Sequence, residues 1–366
     1  MKLAKFSQRR GFTLVELLVV IVIISILIAL LVPVIAGAVR QANDATVSSE
    51  INQLAQALTE FKNRYGDYPP SGILLSDGGY NLTDTTPAPR GGSSDLTLGQ
   101  LAERSQRYLR KFFPRAAMPV PSNPATYFDW NGNGQVDTVY LSGDECLVFF
   151  LGGMPQITDG SFSATGFCKD PVRPFMPVSM STNRMMPTSF EFRADRLFDD
   201  DGDGFPAYID RYGRPSPVTE GNSHYYAYFS AYGNNGYDPN DVNSGVEQTA
   251  QVFRTNPGIG GSYQVSGYPP ATLASPSPNP YTSSTAVPSN GFATYINANS
   301  FQIISAGGDG YFGAGGQYGG DSSDAKLPVT PGIVNLQLAN YSQGEAQTIR
   351  QRENDNLSNF TKGRLD

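Results

Sequence analysis

The chain has 366 residues, enough for one large domain or two small ones. Charged residues make up only 16% and Gly and Pro together supply 66 positions, which suits a loop-rich, strand-containing globule better than an all-helical bundle. A formal net charge of −7 argues against a nucleic-acid binder, whose phosphate contacts need a basic surface.

The basic residues Lys2, Lys5, Arg9 and Arg10 crowd the first ten positions, and an almost wholly apolar run follows from Leu17 to Val39. At about 1.5 Å per residue that run spans a hydrocarbon core of about 30 Å. The basic cluster before it and the single Arg40 after it place the N-terminus in the cytoplasm. A secretory signal peptide would have an apolar region of roughly 7–15 residues before its small-residue cleavage site. Here the run before Ala36-Gly37-Ala38 is too long, so the segment reads as retained.

The same helix is expected to continue beyond the apolar run. Val47, Ile51, Leu54, Leu58, Phe61 and Tyr65 recur at alternating spacings of 4 and 3, which is one apolar stripe on an amphipathic helix. Gly66 is a C-cap signal and Pro69-Pro70 forbid continuation. A helix over residues 12–65 is about 80 Å long at the usual rise.

One residue conflicts with a plain anchor. Glu16 stands at the start of the apolar run, where a carboxylate costs about 2.5–3.5 kcal/mol on insertion scales and therefore marks function. The stretch "RRGFTLVELL" around it resembles the processing site of type IV prepilins and of the pseudopilins of type II secretion systems. The resemblance covers the leader and the apolar helix. It implies cleavage between Gly11 and Phe12 by a prepilin peptidase, and methylation of the new amino group. Glu16 then becomes the fifth mature residue, where the family carries its glutamate, and Pro33 falls at a position where members often have a helix-loosening proline. The implied role of Glu16 is assembly: it meets the cationic N-terminus of a neighbouring subunit and fixes axial register, because an unpaired charge in an apolar bundle is strongly disfavoured. The competing reading is a Glu near the lipid interface that snorkels to water, on a helix that only tethers an exported domain.

Residues 66–366 contain no other stretch of membrane length and are expected to be soluble and exported. "FKNRYGDYPPSG" reads as a helix end running into an extended link, and residues 77–95 read as loop. Residues 96–113 have helical spacing and stop before Pro114. Strands are predicted over 138–141, 225–232 and 301–305 from their aromatic and β-branched content. "CLVFFLGG" at 146–153 fits either a strand or a buried helix, and residues 267–290 form a Pro/Ser/Thr-rich excursion. The fold class expected is α+β and pilin-like: a long N-terminal helix packed on a small antiparallel sheet with large loop insertions. Cys146 and Cys168 allow one disulfide, which an extracytoplasmic location would permit.

Three stretches place carboxylates among glycines. In "DDDGDGFPAYID", Asp199, Asp201, Asp203 and Asp210 fall at positions 1, 3, 5 and 12 of a calcium-type loop, with the Phe205 carbonyl at position 7. EF-hands carry a bidentate Glu where this chain has Asp210, and "RYGRPSP" cannot continue as a helix; the alternative is a solvated acidic turn. "DWNGNGQVD" offers Asp129, Asn131, Asn133 and Asp137 at positions 1, 3, 5 and 9, but position 12 is Tyr140, and an Asn-Gly turn before a strand is the alternative. The third, "FQIISAGGDGYFGAGGQYGGDSSD", resembles the C-terminal calcium loop of the major type II pseudopilin, with Asp309 as the turn aspartate. Two closures are open: Asp321 and Asp324 on the first pass, or Asp355 in "NDNLSNF", which makes 325–353 an insertion. No G-K-[ST] follows the glycines, so a phosphate cradle is a poor reading.

His224 is the only histidine, which excludes a His-rich zinc site, and serine elbows of G-x-S-x-G type are absent. The acids cluster in metal-like loops without a second acid/base constellation, so no enzymatic activity is expected. The reading is a structural subunit of a type II secretion pseudopilus. Its leader is residues 1–11 and its transmembrane part 12–39, with a calcium-stabilised periplasmic domain. Its partners are prepilin peptidase, copies of itself and other pseudopilins, the inner-membrane assembly platform and the membrane. The alternatives are a type IV pilin of a surface fibre and a membrane-tethered enzyme or binding module.

Overall fold

The computed structural model describes residues 13–86, 97–176, 190–199, 202–213, 224–231, 237, 253–255, 262–264, 280–282, 295–313, 315–319, 327 and 342–365. The chain divides into two compact units, Met1–Ala45 and Thr46–Asp366. The first is the apolar part of helix α1 (Leu14–Tyr65), whose large side chains from Leu14 to Val39 are exposed without exception. Length and composition make it the one helix among the described residues fit to cross a membrane. Ser25 donates its hydroxyl to the Ile21 carbonyl at 2.7 Å, which satisfies the one polar side chain in the middle of the run.

In the second unit α1 becomes amphipathic, as its spacing predicts: Val47, Ile51, Leu54, Ala57, Leu58 and Phe61 are buried. Gly66, at φ +82°, ends the helix by donating to the Lys62 carbonyl. Strand β1 (Ile73–Ser76) follows, then helix α2 (Leu98–Phe112), which begins at a capping box of Thr97 and Gln100. Strand β2 (Thr138–Leu141) pairs antiparallel with β1. Helix α3 (Gly143–Gly152) resolves "CLVFFLGG" as a buried helix. Burial on every side leaves no periodicity to read, but Ser142 and Glu145 form a capping box that starts a helix there.

Further along run the hairpin β3 (Pro155–Thr158) and β4 (Ser161–Ala164), and the short pair β5 (Leu197–Phe198) and β6 (Ala207–Tyr208). Strand β7 is Ala227–Ser230, with single bridges at Tyr225 and Ala231 extending it toward the predicted range. Strands β8 (Phe253–Thr255) and β9 (Ser262–Gln264) pair antiparallel, and β10 (Tyr281–Thr282) pairs parallel with β12 (Gly316–Gln317). Strand β11 (Phe301–Ser305) is the centre of a three-stranded antiparallel sheet, between β7 and β13 (Leu357–Ser358), with helix α4 (Gln343–Glu353) just before β13. The sheet is thus divided into several short pieces, because Gly- and Pro-rich loops interrupt the strands. The excursion at 267–290 lies outside the described residues except for 280–282.

One core joins the buried stripe of α1 to β1, β2, α2, α3, β7 and β11. Arg196 and Glu50 form a mostly buried ion pair within it, and Tyr226 donates its hydroxyl to the same Glu50 carboxylate at 2.6 Å. Burial raises the Glu50 pKa, but the bonds from Arg196 and Tyr226 outweigh it and hold the carboxyl below its ordinary value. Cys146 and Cys168 are buried thiols and no disulfide joins them. The Cys146 sulfur turns toward the Leu141 carbonyl at 3.6 Å, whereas the Cys168 sulfur accepts from the Asp170 N–H at 3.5 Å. The disulfide that the sequence allows is therefore not formed.

Candidate functional site

The first site is the start of α1. Thr13 and Glu16 form a reciprocal cap: the Glu16 carboxylate accepts from the Thr13 backbone N–H and hydroxyl, both at 2.8 Å, and the Glu16 N–H donates to the Thr13 hydroxyl at 3.2 Å. "TLVE" has the S/T-x-x-E spacing of a capping box, a signal overlooked beside the costly carboxylate. Glu16 is thereby satisfied within its own chain, on the orphan donors of the helix start. Both bonds to Thr13 fall on Oε2, so neither engages Oε1. Gly11 and Phe12, the predicted junction, lie outside the described residues.

The second site is the group of acidic loops, two of which share one conformation. Asp129 accepts from the N–H groups of Gly132 at 2.6 Å and Gly134 at 2.8 Å. Asp199 does the same with Gly202 and Gly204, both at 2.8 Å. At the fifth position Asn133 accepts from Gln135 N–H at 2.7 Å and Asp203 from Phe205 N–H at 2.8 Å. The first acid of each loop thus folds the loop around itself. The two loops also touch: the Asn131 amide donates to the Asp203 carbonyl at 2.9 Å. A Cβ on Gly204, at φ +93°, would lie 2.6 Å from the Asn131 Cβ, so only glycine permits the approach. Asp201 lies outside the described residues, and Phe205 is buried against Phe149.

Asp210 is drawn elsewhere. It is 1% exposed and accepts from Tyr212 N–H, Gly213 N–H and the Ser305 hydroxyl of β11, with His224 Nδ1 3.8 Å away. Two backbone donors and Ser305 of β11 thus engage the Asp210 carboxylate, apart from the hydrogen bonds that fold the loop around Asp199. Burial pushes its carboxyl up to about 7 against these bonds, which lower it. Burial lowers the pKa of His224.

Asp77 was not legible as part of the 129–137 loop. The register sets Ser76 opposite Thr138, so Asp77 and Asp137 are the next pair. Asp77 N–H donates to the Asp137 carbonyl at 3.0 Å, and its carboxylate accepts from Asp137 N–H and Trp130 N–H, both at 3.1 Å. The two side chains are 2% and 6% exposed. Burial, and then the adjoining Asp137 carboxylate, push the Asp77 pKa well above its ordinary value.

At the third loop, the acid of one of the two closures, Asp355, lies at the turn. Asp355 accepts from Gly308 N–H at 2.9 Å and Asp309 N–H at 3.2 Å, which sets it on the turn that carries Asp309. A Cβ on Gly307, at φ +66°, would meet the Asp355 carbonyl oxygen at 2.2 Å. Asp321 and Asp324 lie outside the described residues. Burial and the nearby Asp355 charge raise Asp309 to about 6, and burial raises Asp355.

These residues fit a hard divalent cation, which takes oxygen ligands. Within these loops, one carboxylate oxygen each of Asp137 and Asp355 is buried without a hydrogen-bond donor. Among the described residues, no three His, Cys, Asp or Glu side chains form a metal cluster unaided, so amide and carbonyl oxygens would have to share the work.

Among known proteins, the family model for the prokaryotic N-terminal methylation motif matches residues 6–32. That match fits the type IV prepilin and pseudopilin family. No curated protein and no solved structure matches the chain.

Proposed function

We propose, from the premise that this chain carries a prepilin-type N-terminus, that it is a structural subunit of a type II secretion pseudopilus. A prepilin peptidase cuts between Gly11 and Phe12, and the apolar half of α1 holds the subunit in the inner membrane until it enters the filament. The observation that carries the reading is the N-terminal segment itself: a methylation motif running into an unbroken, wholly exposed apolar helix with one carboxylate at its first turn. The Asp309–Asp355 approach supports the secretion reading over the surface fibre, since it reproduces the turn-plus-C-terminal-acid arrangement implied by resemblance to the major pseudopilin. Calcium would be held at this turn by Asp309, Asp355 and neighbouring carbonyls, and would neutralise carboxylates that burial disfavours. The role is structural, with partners confined to the peptidase, the assembly platform, the membrane and other filament subunits.

The mature N-terminus and one variant test this. Peptide mass spectrometry is expected to find a methylated Phe12, whereas an intact Met1 contradicts processing. Glu16→Ala is expected to insert into membranes normally and to fail in filament entry, measured by crosslinking of subunits. Normal assembly of that variant removes the assembly role. Deleting the gene and reading both the secreted proteome and surface fibres separates secretion from adhesion.

A further inference from the structure

The chain carries a surplus of negative charge, yet it gathers unpaired cations in one place. Arg110 and Arg115 flank the end of α2, and the strap 167–176 lies against that end. The Phe113 ring is 4.8 Å from Phe167 and 4.8 Å from Phe175, and the Ala117 N–H donates to the Val172 carbonyl at 2.8 Å. Lys169 and Arg173 of the strap are exposed, as are Arg110 and Arg115. Among the described residues, no carboxylate pairs with any of these four side chains. Their neighbour Lys111 is taken up by Asp67, and Asp170 turns its carboxylate to the Val172 N–H.

A groove of the opposite character runs along α1. It encloses about 880 Å³ between Gln53, Gln56 and Glu60 of the helix and the segment 190–195. That segment is held in place, because Arg196 beside it pairs with Glu50 of α1 and Phe192 packs 5.0 Å from Tyr208. Arg193 is satisfied by Asp195, with bonds of 3.1 and 2.8 Å. The uncompensated charges are therefore Glu60, which meets only the neutral amide of Gln56, and the exposed Glu191. The half-buried rings of Phe190 and Phe192 stand beside them. Carboxylates next to aromatic faces are the surroundings that a guanidinium or ammonium group favours.

We propose that this groove receives the cation cluster of a second copy of the chain, so that Arg110, Arg115, Lys169 and Arg173 of one subunit meet Glu60 and Glu191 of the next. The two surfaces differ, so the contact is heterologous: every copy offers one of each, and a rotation that does not close repeats them into an open filament. This rests on the reading of the chain as a filament subunit, and adds to it a contact between the globular parts. Surplus like charge keeps copies apart, whereas complementary patches steer one copy onto another in a single register. Exposed pairs add little affinity, so the patches select the register and the apolar helix supplies the hold.

Two differently tagged full-length copies are produced together in one cell, and their membranes are treated with a carbodiimide, which couples a lysine to a carboxylate in contact. Capture of one tag and mass spectrometry of the linked pair is expected to find Lys169 joined to Glu60 or Glu191. Lys169→Arg keeps the charge but cannot be coupled, and is expected to remove that link while co-capture of the two tags persists. Reversing the cations (Arg115→Glu with Arg173→Glu) or the groove (Glu60→Lys with Glu191→Lys) is expected to lower co-capture severalfold, and both reversals in one chain to restore it. All four positions are on the surface, and circular dichroism checks that each variant keeps its fold. A chain with both reversals that stays impaired overturns the contact, and loss on cation reversal alone assigns those residues to another anionic partner. Links between copies elsewhere on the chain, with none here, overturn this contact and leave the filament reading intact. No link between copies anywhere removes both.

Discussion

At Asp210 a single side chain sets a pH dependence for the domain. Its carboxyl titrates near 3.8 when unfolded and at about 7 in the fold, so the native state holds the proton more tightly. The stability this confers is complete below the unfolded value and is lost as pH rises through about 7. His224, lowered by burial, has the opposite sign and costs stability as pH falls below its ordinary value. In chelator, the thermal midpoint is expected to fall between about pH 4 and about pH 7, and Asp210→Asn to flatten that fall. An amide at 210 can still accept from Tyr212 and Gly213 and donate to Ser305, so the packing survives. The bond between Asp210 and Ser305 was not legible, because a loop count cannot see which strand meets it in the fold. Asp77 escaped for a similar reason: strand register, not sequence proximity, makes it the neighbour of Asp137. Glu16 was legible because its cost is local, yet its Thr13 partner was written three residues away in an ordinary helix-start pattern.

Helix α1 shows how one element was read almost completely. Its apolar run and its stripe are both periodicities of the chain itself, and Gly66 with Pro69-Pro70 fixes the end. The stripe is anchored by Phe61, 2% exposed, whose ring lies 4.4 Å from Tyr65, 5.1 Å from Phe112 and 5.9 Å from Phe150 between centroids. Phe61→Ala is expected to destabilise the second unit by about 3–5 kcal/mol, measured by denaturant unfolding of the full chain in detergent. A change much smaller than that would mean that the aromatic cluster collapses into the space. The strands at 138–141 and 301–305 were legible from β-branched and aromatic runs, whereas α3 was not decided, since an all-apolar segment reads alike as strand or helix. The short pairs β5–β6 and β10–β12 carry no such pattern, because two-residue strands are made by the loops around them.

For the whole molecule, removing the leader takes four basic residues and changes the formal charge from −7 to −11. Asp77 and Asp137 are buried, and desolvation raises Asp309 and Asp355, so bound cations would relieve the repulsion among these acids. A ligand that binds only the folded state adds about 2.7 kcal/mol at a hundredfold excess over its dissociation constant. Chelation is therefore expected to lower the thermal midpoint, calcium to restore it and magnesium to do so poorly, as followed by scanning calorimetry. A midpoint indifferent to chelator removes calcium from the account.

The meeting of Asp355 with the turn at Gly307 also makes one edge of the sheet depend on a segment far along the chain. β11 pairs with β7 on one side and with β13 on the other. The turn's N–H groups at 308 and 309, and the side of β11 at Ile304 and Ser305, are met by residues 355–358. A chain cut short before Asp355 would leave that edge bare, a ready target for proteolysis, while a finished one closes it. Residues 355–358 thus close both the turn and one edge of β11.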